Sequence, residues 1–86
     1  IARHAVTQAM RIREAGLAKG WPLYVDSPTN QQFFIVPDHQ LEGLGQKFSY
    51  DLWETLPDHR TAIRLCTSWA TPVSWVDQLV AGIGAL

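Results

Sequence analysis

Positive charge is scarce in this 86-residue chain, where seven Lys and Arg stand against eight Asp and Glu and leave a formal net charge of −1. No basic stripe follows a phosphate backbone, which excludes a sequence-independent nucleic-acid binder. Long apolar runs are also missing: none approaches the ~20 residues a membrane helix needs. The first residues lack the charged-then-apolar pattern of a signal peptide. A cytoplasmic protein with no nucleic-acid and no membrane partner is therefore expected. The single cysteine, Cys66, has no internal disulfide partner, and its place in a strand pattern predicts a reduced, packed thiol without a nucleophilic role. There are only two lysines, Lys19 at a helix end and Lys47 in a polar segment, and neither setting activates an amine. Glycine-rich phosphate loops, serine nucleophile elbows and metal-ligand helices are absent.

What is present is globular: 47% of the residues are hydrophobic and 17% charged. The length suits one domain with one modest core and a few kcal/mol of net stability. The chain opens on Ile1 and enters a helical pattern directly, as a piece of something longer would.

From Ala2 to Lys19 the periodicity is helical. Ala2, Val6, Ala9, Met10 and Leu17 fall on one side, with His4, Thr7, Gln8 and Arg11 opposite, and Gly20 is a suitable stop. Arg13 lies within the apolar stripe, so its stem snorkels to water or its head meets a group outside the chain. Leu23 to Asp26 reads as a short strand before the turn-rich Ser27-Pro28-Thr29-Asn30. Gln32 to Val36 is a strand with apolar groups on both faces, Phe33 and Ile35 on one, Phe34 and Val36 on the other. Pro37-Asp38 starts a helix to about Lys47, with Asp38 as N-cap. Phe48 to Glu54 alternates Phe48, Tyr50 and Leu52 against Ser49, Asp51 and Trp53. After a turn at Leu56–His59, Ala62 to Ser68 is the last strand. Thr71 as N-cap and Pro72 as first helical residue then open a helix with a Val76, Leu79, Val80, Ile83 stripe. This order predicts an α+β fold, a two-layer sandwich of a mostly antiparallel four-stranded sheet with helices on one face.

One residue breaks the apolar pattern. Arg64 sits between Ile63 and Leu65, which point into the core, and shares the other face with Ala62 and Cys66. A guanidinium offers a planar fork of donors and stays charged, so an anionic ligand held bidentately is its natural partner. An ion pair with an acid such as Asp51 on a neighbouring strand is the structural alternative. Arg64, Phe34 and Val36 are expected on the uncovered side of the sheet, docked against a larger domain and lining a site shared with it. Two Asp-His pairs, in Pro37-Asp38-His39 and Pro57-Asp58-His59, have metal-ligand side chains, but turn chemistry accounts for both and no metal is expected. His4 on the polar helix face adds no ligand. Trp21, Trp53, Trp69 and Trp75 share no platform and read as core and interface packing.

Ile63-Arg64-Leu65-Cys66-Thr67-Ser68-Trp69-Ala70-Thr71, Val76-Asp77 and Pro28-Thr29-Asn30-Gln31-Gln32-Phe33 together resemble the end of a threonine aldolase. The first helix, from Ala2-Arg3-His4-Ala5 to Gly16-Leu17 and Gly20, resembles the one entering the C-terminal domain of those enzymes, so the likeness spans nearly the whole chain. It implies the small C-terminal domain of an aminotransferase-like enzyme that uses pyridoxal 5′-phosphate as electron sink. The implied reaction cleaves a β-hydroxy-α-amino acid to glycine and an aldehyde. The resemblance gives Arg64, the arginine of Arg-x-x-Thr, the substrate's α-carboxylate, and makes Asn30 a second candidate for positioning the site. Cofactor ligands and catalytic groups would belong to the large domain, the parent would form a homo-oligomer, and this chain alone would be inert. Ser68-Trp69 replaces the His that follows the matching Thr in many members, which leaves the substrate open. Another pyridoxal-phosphate-dependent β-eliminating lyase, an aminotransferase small domain and a free-standing α+β interaction module are the alternatives.

Overall fold

The computed structural model describes residues 2–86, and the expectation that rests on Ile1 falls outside them. Its elements run α1 (Ala2–Lys19), β1 (Leu23–Val25), β2 (Gln31–Pro37), α2 (Asp38–Lys47), β3 (Asp51–Leu56), β4 (Arg60–Cys66) and α3 (Val73–Gly84). The four strands form one antiparallel sheet in the order β1-β2-β4-β3. Ile12 from α1, Leu44 from α2, and Val76, Leu79 and Ile83 from α3 pack with Phe34, Val36, Ile63 and Leu65 of the sheet in a single core. Helices thus cover one face, and the fold is the α+β two-layer sandwich.

The α1 helix ends where its sequence lets the backbone turn left. Gly20, at φ 94°, donates to the Leu17 carbonyl, and the Trp21 amide donates to that of Gly16. This paired closure uses a residue without Cβ at the left-handed position. Trp21 is thereby delivered into the core, where its indole Nε1 donates to Gln40 Oε1 at 2.6 Å.

Several sequence expectations shift. The buried side of α1 carries Ala5, Gln8, Ala9, Ile12 and Gly16, whereas Leu17 is exposed. The helix packs by its small residues: a Cβ on Gly16 would lie 2.7 Å from Phe34 Cζ, so the ring of β2 occupies the space a side chain would fill. Arg13 carries its head to the surface, where Nη1 donates to the exposed Asp26 Oδ1 at 2.7 Å. His4 is held by α3's approach, with Nε2 2.8 Å from the Thr71 carbonyl. Phe48 and Tyr50 precede β3 and pack against the core from the loop; the Phe48 ring meets Trp75 edge-on at 6.0 Å. Trp21 and Trp75 are the packing tryptophans, while Trp53 and Trp69 are exposed.

Both predicted caps move by one residue. Pro37 and Pro72 take the N-cap positions in extended geometry, and Asp38 becomes the first residue of α2. Its carboxylate accepts from Thr61 Oγ1 at 2.6 Å rather than from the helix amides, while a negative charge in the first turn still suits the helix dipole. Thr71 points backward, accepting from the Ser68 amide at 2.7 Å. Asp58 and His59 adopt φ of 64° and 57° in the β3–β4 turn, a conformation short polar side chains tolerate better than most. The His59 carbonyl accepts from the Asp38 amide, joining the two Pro-Asp-His segments by backbone. Among the described residues, no three His, Cys, Asp or Glu side chains gather where a metal would bind.

Candidate functional site

The register of β2 against β4 decides which side chains meet on the uncovered face. Phe34 stands opposite Ile63, and Phe33 opposite Arg64. Phe34 and Val36 therefore belong to the helix-covered core, contrary to their expected place beside Arg64. Phe33 and Ile35 are the β2 residues on the arginine's face. A strand apolar on both sides does not reveal by itself which side is inward; the pairing with Ile63 and Leu65 settles it.

On β3, Asp51 lies directly across from Arg64, so Asp51, Arg64 and Phe33 form a row over three strands. Arg64 Nε and Nη2 both donate to Asp51 Oδ2, at 2.9 and 2.7 Å. The register of β3 breaks between Leu52 and Glu54. Such a bulge re-aims side chains, and here Trp53 and Glu54, consecutive in sequence, both reach partners across the sheet. The Trp53 ring centroid is 5.4 Å from Arg64 Cζ and 5.1 Å from the Phe33 ring, which it meets at 69°. Glu54 Oε2 accepts from the Tyr24 hydroxyl at 2.7 Å.

Charge on this face is balanced locally. The Asp51 hydrogen bond is the main cause that raises the Arg64 pKa above its ordinary value. The Glu54 hydrogen bond does the same for Tyr24. Cys66, two residues along β4, is exposed rather than packed. Even so, the surrounding strands withdraw enough water to raise its thiol pKa, against the pull of the nearby guanidinium.

The Arg64 pairing is the structural alternative read from the sequence, and it leaves donors over. Two of five N–H groups are engaged, both along the Nε/Nη2 side, and Nη1 has no partner among the described residues. The end of the fork faces away from Asp51 and is chemically able to take a second carboxylate bidentately.

Asn30 occupies another place. Its Nδ2 donates to the Thr67 carbonyl at 2.7 Å, its own carbonyl accepts from the Thr67 amide, and Thr67 Oγ1 donates to the Ala5 carbonyl at 2.5 Å. These bonds tie β2, the end of β4 and α1 together beside a recess of about 480 Å³, walled by Val6, Pro28, Ser68 and the exposed Trp69 among others. Asn30, the residue before β2, lies three residues from Phe33, opposite which Arg64 sits. That is on the order of 10 Å of extended chain, so the two candidates do not meet. Trp53 is the contact residue that packing arguments passed over. Its alternation with Asp51 had already placed both on one face.

The chain is a two-layer α+β unit in which a half-buried, partly engaged arginine stands on the sheet face opposite the helices. Among solved structures, the chain is similar to the threonine aldolase of Leishmania major, with 29% sequence identity and a TM-score of 0.92 over 95% of this chain. The resemblance carried by the arginine strand and the Thr-Asn strand thus holds in three dimensions over nearly all of the sequence. The chain spans 24% of the length of that protein. No protein-family model matches the sequence, and no curated protein matches it.

Proposed function

We propose that this chain is the C-terminal small domain of a cytoplasmic lyase of the threonine aldolase type, cleaving β-hydroxy-α-amino acids to glycine and an aldehyde. Arg64 grips the substrate's α-carboxylate with the free end of its fork. The observation that carries this reading is the unengaged Nη1 edge on a bare sheet face, in a chain similar to a threonine aldolase over 95% of its length. Asn30 serves at a distance, holding the strand ends that frame the site.

The remainder of the parent covers the Phe33, Ile35 and Trp53 face and supplies the rest of the pocket. Pyridoxal 5′-phosphate, the cofactor of this reading, does not fit the residues present here. Lys19 is tied to the Leu86 carbonyl, and Lys47 closes α2 on the far side of the sheet from Arg64. Among the described residues, no glycine-rich cradle lies on the open face. Cofactor and proton-transfer groups are therefore assigned to the large domain, in a parent that assembles from several copies.

The test is kinetic and uses the full-length parent. Threonine and phenylserine should be cleaved, whereas tryptophan β-elimination or amino transfer to a keto acid would move the assignment to a different lyase or to an aminotransferase. Arg64→Ala should lower kcat/KM by on the order of 2 to 4 kcal/mol, as for loss of a charge-assisted contact. The Asp51 pairing favours a second reading, in which Arg64 is structural only. Unchanged kcat/KM in a folded Arg64→Ala enzyme would select it.

A further inference from the structure

Arg64 is held in a way that fixes more than its position. An unconstrained Asp–Arg pair tends to match two oxygens with two N–H groups. Here one oxygen, Asp51 Oδ2, takes both Nε and Nη2, and Oδ1 has no partner among the described residues. The carboxylate therefore sits on the side of the fork rather than across its end. The guanidinium carbon lies over the Trp53 ring, with Cζ 5.4 Å from the centroid. Trp53 is in turn held edge-on by Phe33, a buried residue of β2. A guanidinium bonded along its Nε/Nη2 edge and set over an aromatic ring is restricted in how its remaining edge can turn.

We infer that Asp51 and Trp53 are positioning residues that aim the Nη1/Nη2 end of Arg64 at the substrate carboxylate. The inference rests on the reading of Arg64 as carboxylate ligand and deepens it. Aim should matter because a bidentate contact needs both N–H groups in the plane of the incoming oxygens, and an error of about 1 Å in such a clamp costs heavily in rate or affinity. Asp51 also sets a limit on binding. Its negative charge stands beside the site of a second carboxylate, so it aligns the arginine while opposing the ligand. The acceptor and the charge are separable: an asparagine oxygen accepts the same two N–H groups without the charge.

The experiment compares variants of the full-length parent by KM and kcat for the β-hydroxy-α-amino acid it cleaves best. Asp51→Ala should raise KM on the order of tenfold while kcat stays within about twofold, because the loss is in substrate binding. Asp51→Asn should keep KM at or below the parent value. Trp53→Ala should raise KM about threefold, and Trp53→Phe should restore most of it. If Asp51→Ala does not fold, Asp51→Glu serves, since it keeps the charge but displaces the oxygen; it too should raise KM. Parental KM in folded Asp51→Ala or Asp51→Glu would overturn the inference, as would an Asp51→Asn enzyme no better than Asp51→Ala. In either case a large effect of Arg64→Ala keeps the carboxylate reading intact. Parental kinetics in Arg64→Ala defeat that reading and this inference together.

Discussion

A half-buried arginine on a strand is tolerated only when its head finds acceptors, and Arg64 finds one oxygen and one ring. Its neighbours on the same face follow similar rules. The Tyr24 hydroxyl donates to Glu54, and that bond raises the tyrosine pKa above its usual ~10. The neutral phenol is the form that the fold favours. This contribution to stability is therefore fully present below the unfolded pKa and is lost as pH rises through the higher folded value. Thermal unfolding between pH 8 and 11 should show the parent sequence losing stability more steeply than Tyr24→Phe above about pH 10; parallel curves would remove the bond from the account. Cys66 is exposed, yet its raised thiol pKa leaves little thiolate at neutral pH. Alkylation at pH 7.5 should run slower than for a free cysteine thiol, and a faster reaction would mean that the guanidinium dominates its surroundings.

At the scale of elements, the closest fit is between α1 and β2. Gly16 lies against the buried Phe34 ring, and Gly16→Ala would push a methyl into Phe34 Cζ at 2.7 Å. It should cost about 1–3 kcal/mol as an overpacked core does, even though alanine is the better helix former. Denaturant unfolding measures this, and a gain in stability would contradict the packing. The same contact explains what could be read from the residues and what could not. All seven elements appear in the predicted order, because helical and strand periodicities and the stops at Gly20 and Pro37 are local signals. The inward side of β4 was also legible, since Ile63 and Leu65 alternate with a charge. The side of α1 was not: its buried stripe contains Gly16 and Gln8, whose burial depends on the Phe34 ring and on the Arg11 guanidinium that Gln8 Oε1 accepts from. Nor was the inward side of β2, with phenylalanines adjacent at 33 and 34. A strand that is apolar on both faces offers no alternation by which its pattern could fix the register.

For the molecule as a whole, one sheet face is packed under three helices and the other presents Phe33, Ile35, Trp53 and a partly engaged arginine. Arg64 and Asp51 were legible as a possible pair and Trp53 shares their face by alternation, but Glu54's place on that face depends on a bulge in β3 that no residue pattern announces. Among the described residues, no helix is long and apolar enough to cross a membrane. If the remainder of the parent holds the cofactor, the 86-residue chain alone should show no cleavage of threonine with added pyridoxal 5′-phosphate. Turnover by the chain alone would place catalytic groups where none has been found.

The most direct measurement is a coupling cycle between Arg64 and the carboxylate itself. Glycine and ethanolamine differ only in that group, and their inhibition constants are to be measured on the full-length parent and on Arg64→Ala. The parent should prefer glycine, and the variant should lose that preference, giving a coupling of about 2 kcal/mol or more. A coupling within about 0.5 kcal/mol of zero, with both proteins folded, would mean that Arg64 does not hold the acid.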